Sequence, residues 1–232
     1  MGRFPQGSFF DYESIEAIKV DTMNPTFENL ITSEQELRDL VGVPGDRSKL
    51  KERRALDDHC RAFIARSPFI LMATSGADGT CDVSPKGDAP GFVRVLDEHR
   101  LVIPDRPGNK RFDGMFNLIA NPHVGLLFIV PGRQETLRVN GRAWITRTPE
   151  LLASMTFSGK TPLVAIGVDV EQCFIHCPKA FLRSQLWKHE AWPAADALPS
   201  MACVLFDQIK PEGLTEQDYE RDIAENNRTK LY

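Results

Sequence analysis

The sequence predicts a mainly β fold with helices, a closed or partly closed barrel of six or more antiparallel strands in Greek-key-like order. Three observations carry that expectation. Strand-like segments recur at short intervals from Phe69 onward, a helical segment interrupts them after the fourth, and the alternating βαβ pattern of a doubly wound sheet is absent. No fixed-period repeat or low-complexity segment competes with it.

Residues 1–45 read as an N-terminal arm that mixes Phe4, Phe9, Phe10, Tyr12 and Phe27 with charge and proline. Within it, Thr32 with Gln35 or Ser33 with Glu36 would make a capping box and start a short helix that fades before Gly42 and Pro44. Between Ser48 and Arg66, Leu56, Cys60, Phe63 and Ile64 share one helical face, and Ser67-Pro68 ends the helix. Phe69–Thr74 and Thr80–Ser84 then form a hairpin around Ser75–Gly79. Phe92–Leu96 and Leu101–Pro104 form another, with Val93, Val95, Leu101 and Ile103 inward. Asn109–Ala120 reads as a helix with Phe112, Met115, Phe116 and Ile119 on its buried face, closed by Asn121-Pro122. Val124–Val130 is wholly apolar and should be central or covered on both faces, while Glu135–Thr146 alternates around Leu137, Val139, Ala143 and Ile145. A short helix starts at Thr148-Pro149, Val164–Val170 and Glu171–Ile175 are strand-like, and Pro178–Trp187 is the expected last core helix. The barrel domain is expected over residues 46–190, followed by a C-terminal extension over 191–232 whose end is mostly charged.

Composition narrows the function classes. The chain of 232 residues is 42% hydrophobic and 26% charged, the balance of an ordinary globular protein. A net charge of −4 offers no long-range attraction to nucleic acid or anionic lipid. No secretory leader is expected in Met1–Val20, and no apolar run reaches the roughly 20 residues of a spanning helix. A cytoplasmic protein with no nucleic-acid or membrane partner is therefore expected. Five cysteines, an odd set without CxxC, read as reduced thiols, and Cys173, His176 and Cys177 are too few for a closed metal site. No Walker loop, GxSxG or HExxH occurs, and none of the five histidines is assigned to catalysis.

The segment most informative about chemistry is Ile103–Arg111, which joins a strand to a helix. A helix start carries about half a positive charge and unpaired amides, so Arg106, Lys110 and Arg111 there call for an anion. In that reading Asn109 caps the helix and the three cations surround a phosphate; the alternative is a solvated basic turn. A second cluster, Asp82–Asp88, ends a strand with Ser84 and Lys86 as donors that could line a planar heteroaromatic ligand, or simply form a polar edge.

The runs "FILMATSGADGTCDVSPKGD", "LVIPDRPGNKRFDGMFNLIANPHVGLLFIVPG" and "ETLRVNGRAWIT" are similar, over about residues 45–190, to the pyridoxamine 5'-phosphate oxidase-related family of FMN-binding split β-barrels. The segments "IPDRPGNKRFDGMFNLIANP" and "HCPKAFLRSQLW" resemble a bacterial branch of it without an assigned reaction. The resemblance implies FMN at a homodimer interface, its phosphate on Asn109, Lys110 and Arg111, its ring along Val83, Ser84, Pro85 and Lys86, with Asp105 and Arg106 nearby. Arg138, and Arg183 and Trp187 supplied by the other subunit, are further implied contacts. True vitamin B6 oxidases end in a barrel-closing segment with arginine and histidine, whereas this chain ends in "EQDYERDIAENNRTKLY", which speaks against oxidation of pyridoxamine phosphate. The expected function is thus an FMN-dependent oxidoreductase acting on a small molecule, with NAD(P)H or oxygen as the other reactant. The alternatives are a binding protein for flavin, haem or another phosphate-bearing ligand without turnover, and a purely structural barrel.

Overall fold

The computed structural model describes residues 28–194 and 197–232, so the aromatics expected in the arm, Phe4 to Phe27, lie outside the described residues. The chain divides into two units, residues 1–45 and 46–232. In the first, helix α1 (Glu34–Val41) is capped by Ser33, whose hydroxyl accepts the Glu36 amide at 3.2 Å, while the Glu36 carboxylate accepts the Thr32 amide. Gly42, at φ 85, donates to the Arg38 carbonyl and ends the helix.

The second unit holds one seven-stranded antiparallel sheet. Its strands are β1 (Phe69–Ser75), β2 (Cys81–Gly87), β3 (Arg94–Val95), β4 (Arg100–Pro104), β5 (His123–Ile129), β6 (Thr136–Thr146) and β7 (Ala165–His176), in the order β2-β1-β5-β6-β7-β4-β3. Its helices are α2 (Asp46–Leu50), α3 (Asp58–Ile64), α4 (Asp113–Ala120), α5 (Pro149–Ser154), α6 (Lys179–Ser184), α7 (Met201–Ile209) and α8 (Glu216–Thr229). This is the expected mainly β split barrel, with α4 inserted after the fourth strand. No helix among the described residues is long and apolar enough to cross a membrane.

Alternation along the strands builds the core. Ile70 and Met72 from β1, Leu126 and Phe128 from β5, Leu137 and Val139 from β6, and Ile166 and Val168 from β7 meet inside, with Leu56, Cys60 and Ile64 covering them from the α3 side. Strand β4 is buried on both faces: Leu101 and Ile103 enter this core, and Val102 joins Leu152 and Met155 beneath α5. Strand β5 is central, as its apolar run requires, yet only its inner residues Val124, Leu126 and Phe128 are fully buried.

Several local expectations are corrected. The Ser48–Arg66 helix is two shorter ones, because Arg53 leaves the helical path to exchange backbone hydrogen bonds with Cys173 of β7, and Asp57 restarts the helix by accepting the Cys60 amide. The two strand-like segments 164–170 and 171–175 are a single strand, β7, with a bulge: Asn140 pairs with Gln172 and Gly141 with Val170, leaving Glu171 extra. On α4 the buried face carries Met115 and Leu118, whereas Phe116 is 61% and Ile119 74% exposed. Asn117, bonded to Thr74 and Asp82, and Asn121, bonded to Ser75, fix that rotation. The expected core helix 178–187 shrinks to α6, which buries no residue, and the C-terminal extension contains α7 and α8, packed together through Phe206 and Tyr219.

The final residues return to the sheet. Tyr232 donates its hydroxyl to Asp88 at 2.8 Å, and the same carboxylate accepts Arg106 Nε at 2.6 Å and the Ala89 amide at 2.7 Å. Burial alone would raise this carboxyl, whose side chain is 1% exposed, but the three donors together hold it below the usual carboxylate range.

Two outcomes follow from this packing. A Cβ at Gly141 would collide with the Asp169 carbonyl oxygen at the bulge, so Gly141→Ala should lower stability by about 1–3 kcal/mol in urea denaturation; an unchanged midpoint would mean the bulge yields freely. Because the Asp88 carboxyl is depressed in the folded state, its contribution is present above the unfolded value near pH 4 and fades as pH falls through the folded value. Asp88→Asn should therefore cost about 3 kcal/mol at pH 7, with the gap to wild type closing as the two are denatured at progressively lower pH.

Candidate functional site

A cavity of about 510 Å³ opens between β2, the 105–112 segment and the start of α4. That volume is ordinary for a small-molecule site. Strand β2 is an edge strand, so part of its backbone has no strand partner, and its alternation turns Asp82, Ser84 and Lys86 inward while Val83 and Pro85 lie toward the rim. Helix α4 lies against β1 and β2 at Gly114, where a Cβ would make ordinary van der Waals contact with Met72, Thr74 and Ser84.

The segment between β4 and α4 is shaped for exposed amides. Lys110 and Phe112 both sit at φ 60, a left-handed conformation that costs a non-glycine residue about 1 kcal/mol or more. Such turns direct successive N–H groups to one side, which makes an anion-binding concavity. Phe112 takes the N-cap position of α4 and offers no side-chain cap, so the first amides of the helix, at Asp113 and Gly114 in the cavity wall, lack a side-chain acceptor. Asn109 was expected to cap this helix; instead it accepts the Arg111 amide at 3.0 Å in a local turn, and the helix begins four residues later than expected.

Four cationic side chains, Lys86, Arg106, Lys110 and Arg111, and three carboxylates, Asp82, Asp105 and Asp113, line the cavity. The carboxylates are engaged: Asp82 by Asn117, Asp113 by Arg111 Nε at 2.8 Å, and Asp105 by Lys86 Nζ at 3.9 Å. Burial pushes the Asp105 carboxyl above its usual range, and Lys86 only partly opposes this. Lys110 makes no ion pair among the described residues.

Nine sequence-predicted residues are thus brought together: Val83, Ser84, Pro85, Lys86, Asp105, Arg106, Asn109, Lys110 and Arg111. Three are not in this cavity. Arg138 stacks over Phe174 at 5.0 Å on the β6–β7 face, Trp187 donates to the Arg133 carbonyl at 2.7 Å, and Arg183 lies on α6. The single chain does not bring Arg183 or Trp187 to the site; the resemblance assigns both to a second subunit. Sequence reading missed Asp88, which anchors Arg106, as well as Gly114, Asn117 and Tyr232. Only Gly114 left a trace, as a glycine early in a helix; the Asp88–Tyr232 contact spans 144 positions and has no local pattern.

Several solved structures are similar to part of this chain at low identity. Group A Streptococcus HupZ is similar at 17% identity, covering 51% of this chain and 92% of that one with a TM-score of 0.42. General stress protein 26 from Bacillus anthracis is similar at 15% identity, covering 50% and 88%, with a TM-score of 0.38. An FMN-binding protein from Syntrophomonas wolfei is similar at 11% identity, covering 62% and 93%, with a TM-score of 0.39. No curated protein sequence matches. The family model described as pyridoxamine 5'-phosphate oxidase matches residues 56–177, more than half of the chain and the whole of all seven strands. The chain belongs to the pyridoxamine 5'-phosphate oxidase family.

Proposed function

We propose that this protein binds FMN in the cavity between β2 and α4 and serves as an oxidoreductase for a small molecule. The observation that carries the reading is the coincidence, in one cavity, of an edge strand, an uncapped helix start and the cations Lys110 and Arg111. The left-handed turns at Lys110 and Phe112 and the first amides of α4 suit a phosphate monoester. Val83, Ser84, Pro85 and Lys86 offer a ribbon of backbone and side-chain donors to the rim of a planar ring. When bound, FMN supplies the hydride or electron transfer, and the chain supplies position and electrostatics.

Within that division of labour, Lys110 and Arg111 hold the phosphate end and Lys86 sets the charge near the ring. Asp105 tempers Lys86 from 3.9 Å, and its raised pKa means that it can share a proton there more readily than an ordinary carboxylate. Arg106 is committed to Asp88 and is not assigned to the phosphate. Homodimer formation belongs to the same reading, supported by the exposed apolar face of Phe112, Phe116 and Ile119 on α4 beside the cavity. A cytoplasmic location and a nicotinamide donor are part of the proposal.

The visible spectrum tests it. After FMN addition and dialysis the protein should keep flavin bands, and Lys110→Ala/Arg111→Ala should weaken FMN binding at least about 100-fold, because two charge-assisted contacts are lost. A colourless wild type would overturn the reading, and bound flavin that NAD(P)H cannot reduce would favour a carrier without turnover. In the flavin-loaded protein, Lys86→Ala should lower the reduction potential, since a cation near the ring favours the reduced anion; dye-equilibrated titration reads this, and an unchanged potential would remove that role from Lys86.

A further inference from the structure

We propose that Arg106 is the receptor of a second ligand site, which takes the carboxylate or phosphate group of a small molecule with an apolar body. A second cavity, of about 330 Å³, adjoins the first along the 105–112 segment, which lines both, and is completed by Lys160, Pro162, Leu163 and Tyr232. Arg106 lines both cavities, and Tyr232, whose ring supports it, lines only the second.

The guanidinium is held from one end. Its Nε donates to Asp88 at 2.6 Å, and its carbon lies 6.0 Å from the Phe157 ring and 5.9 Å from the Tyr232 ring, which pack together at 5.0 Å. The side chain is 15% exposed, and its two terminal nitrogens meet no acceptor among the described residues. A guanidinium fixed at Nε with its fork open presents two parallel donors, the geometry that recognises carboxylate and phosphate. Asp88 cancels the Arg106 charge and Asp105, which also lines the cavity, is paired with Lys86, so net attraction comes from Lys160, which has no ion pair among the described residues, and from Lys110 only while no phosphate engages it. Phe112, Pro162 and Leu163 supply the apolar wall, which selects a ligand with an apolar body over a bare ion. Tyr232 is a positioning residue: it acts on the ligand through Asp88 and through the aromatic support of Arg106.

Ligand-observed NMR titration of the full chain, with benzoate, benzamide and phenyl phosphate as probes and with FMN affinity read in parallel, tests the proposal. Benzoate should bind saturably and benzamide should not. Asp88→Asn/Arg106→Gln, which removes both charges and leaves neither buried alone, should weaken benzoate at least about ten-fold, and Tyr232→Phe, which keeps the ring, about three-fold. FMN affinity should change less than about two-fold in either variant. Displacement of benzoate by phenyl phosphate would assign phosphate esters as the ligands, and its failure to displace would assign carboxylates. Equal binding of benzoate and benzamide, or unchanged benzoate affinity in both variants, would overturn the proposal. So would parallel loss of FMN and benzoate, which would make Arg106 part of the flavin site. A wild type that binds benzoate but not FMN would leave this site standing while the flavin reading fell.

Discussion

The seating of α4 on β1 and β2 is the constraint from which the site follows. The helix backbone at Gly114 packs beside Met72, Thr74 and Ser84, and Asn117 locks that seating by donating to both Thr74 and Asp82. With the helix so placed, its uncapped start can only face the space between β2 and the segment arriving from β4. The cavity is therefore the remainder of a packing arrangement, and its polarity comes from the amides and cations that the arrangement leaves pointing inward.

The same segment divides two environments. On the α4 side Lys110 and Arg111 stand beside open amides, the kind of setting that suits a phosphate. Arg106, which lines both cavities, is instead neutralised by Asp88 and supported by Phe157 and Tyr232, so it offers directed donors with little net charge. Three cations that look equivalent along residues 106–111 thus have different chemistry, because the neighbours of Arg106 come from the residue after β2, from the segment after α5 and from Tyr232.

The energetic asymmetry between barrel and decorations matches this division. The barrel core is a continuous cluster of buried apolar side chains, and the β7 bulge opposite Gly141 is enforced by backbone contact. Helices α6 and α8 bury no residue, so their positions rest on caps, ring contacts and the Thr215–Asp218 capping box. The Tyr232–Asp88 bond ties this lightly anchored region to the wall of the site, and a buried carboxylate with three donors is an attachment that acid weakens.

By itself the sequence determined the mainly β class, six or more strands, the helix after the fourth and the cationic segment, because each rests on local periodicity or on residues adjacent in the chain. Inward positions Leu101, Ile103, Leu137, Val139 and Ala143 followed from alternation alone. The tertiary structure alone decided which face of α4 is buried: spacing favoured Phe116 and Ile119, but hydrogen bonds from Asn117 and Asn121 to β1 and β2 outweighed it. It also decided where α4 begins, since two left-handed residues replaced the expected first turn, and which partner holds Arg106. Those outcomes depend on contacts between residues tens to more than a hundred positions apart, and no local pattern encodes such contacts.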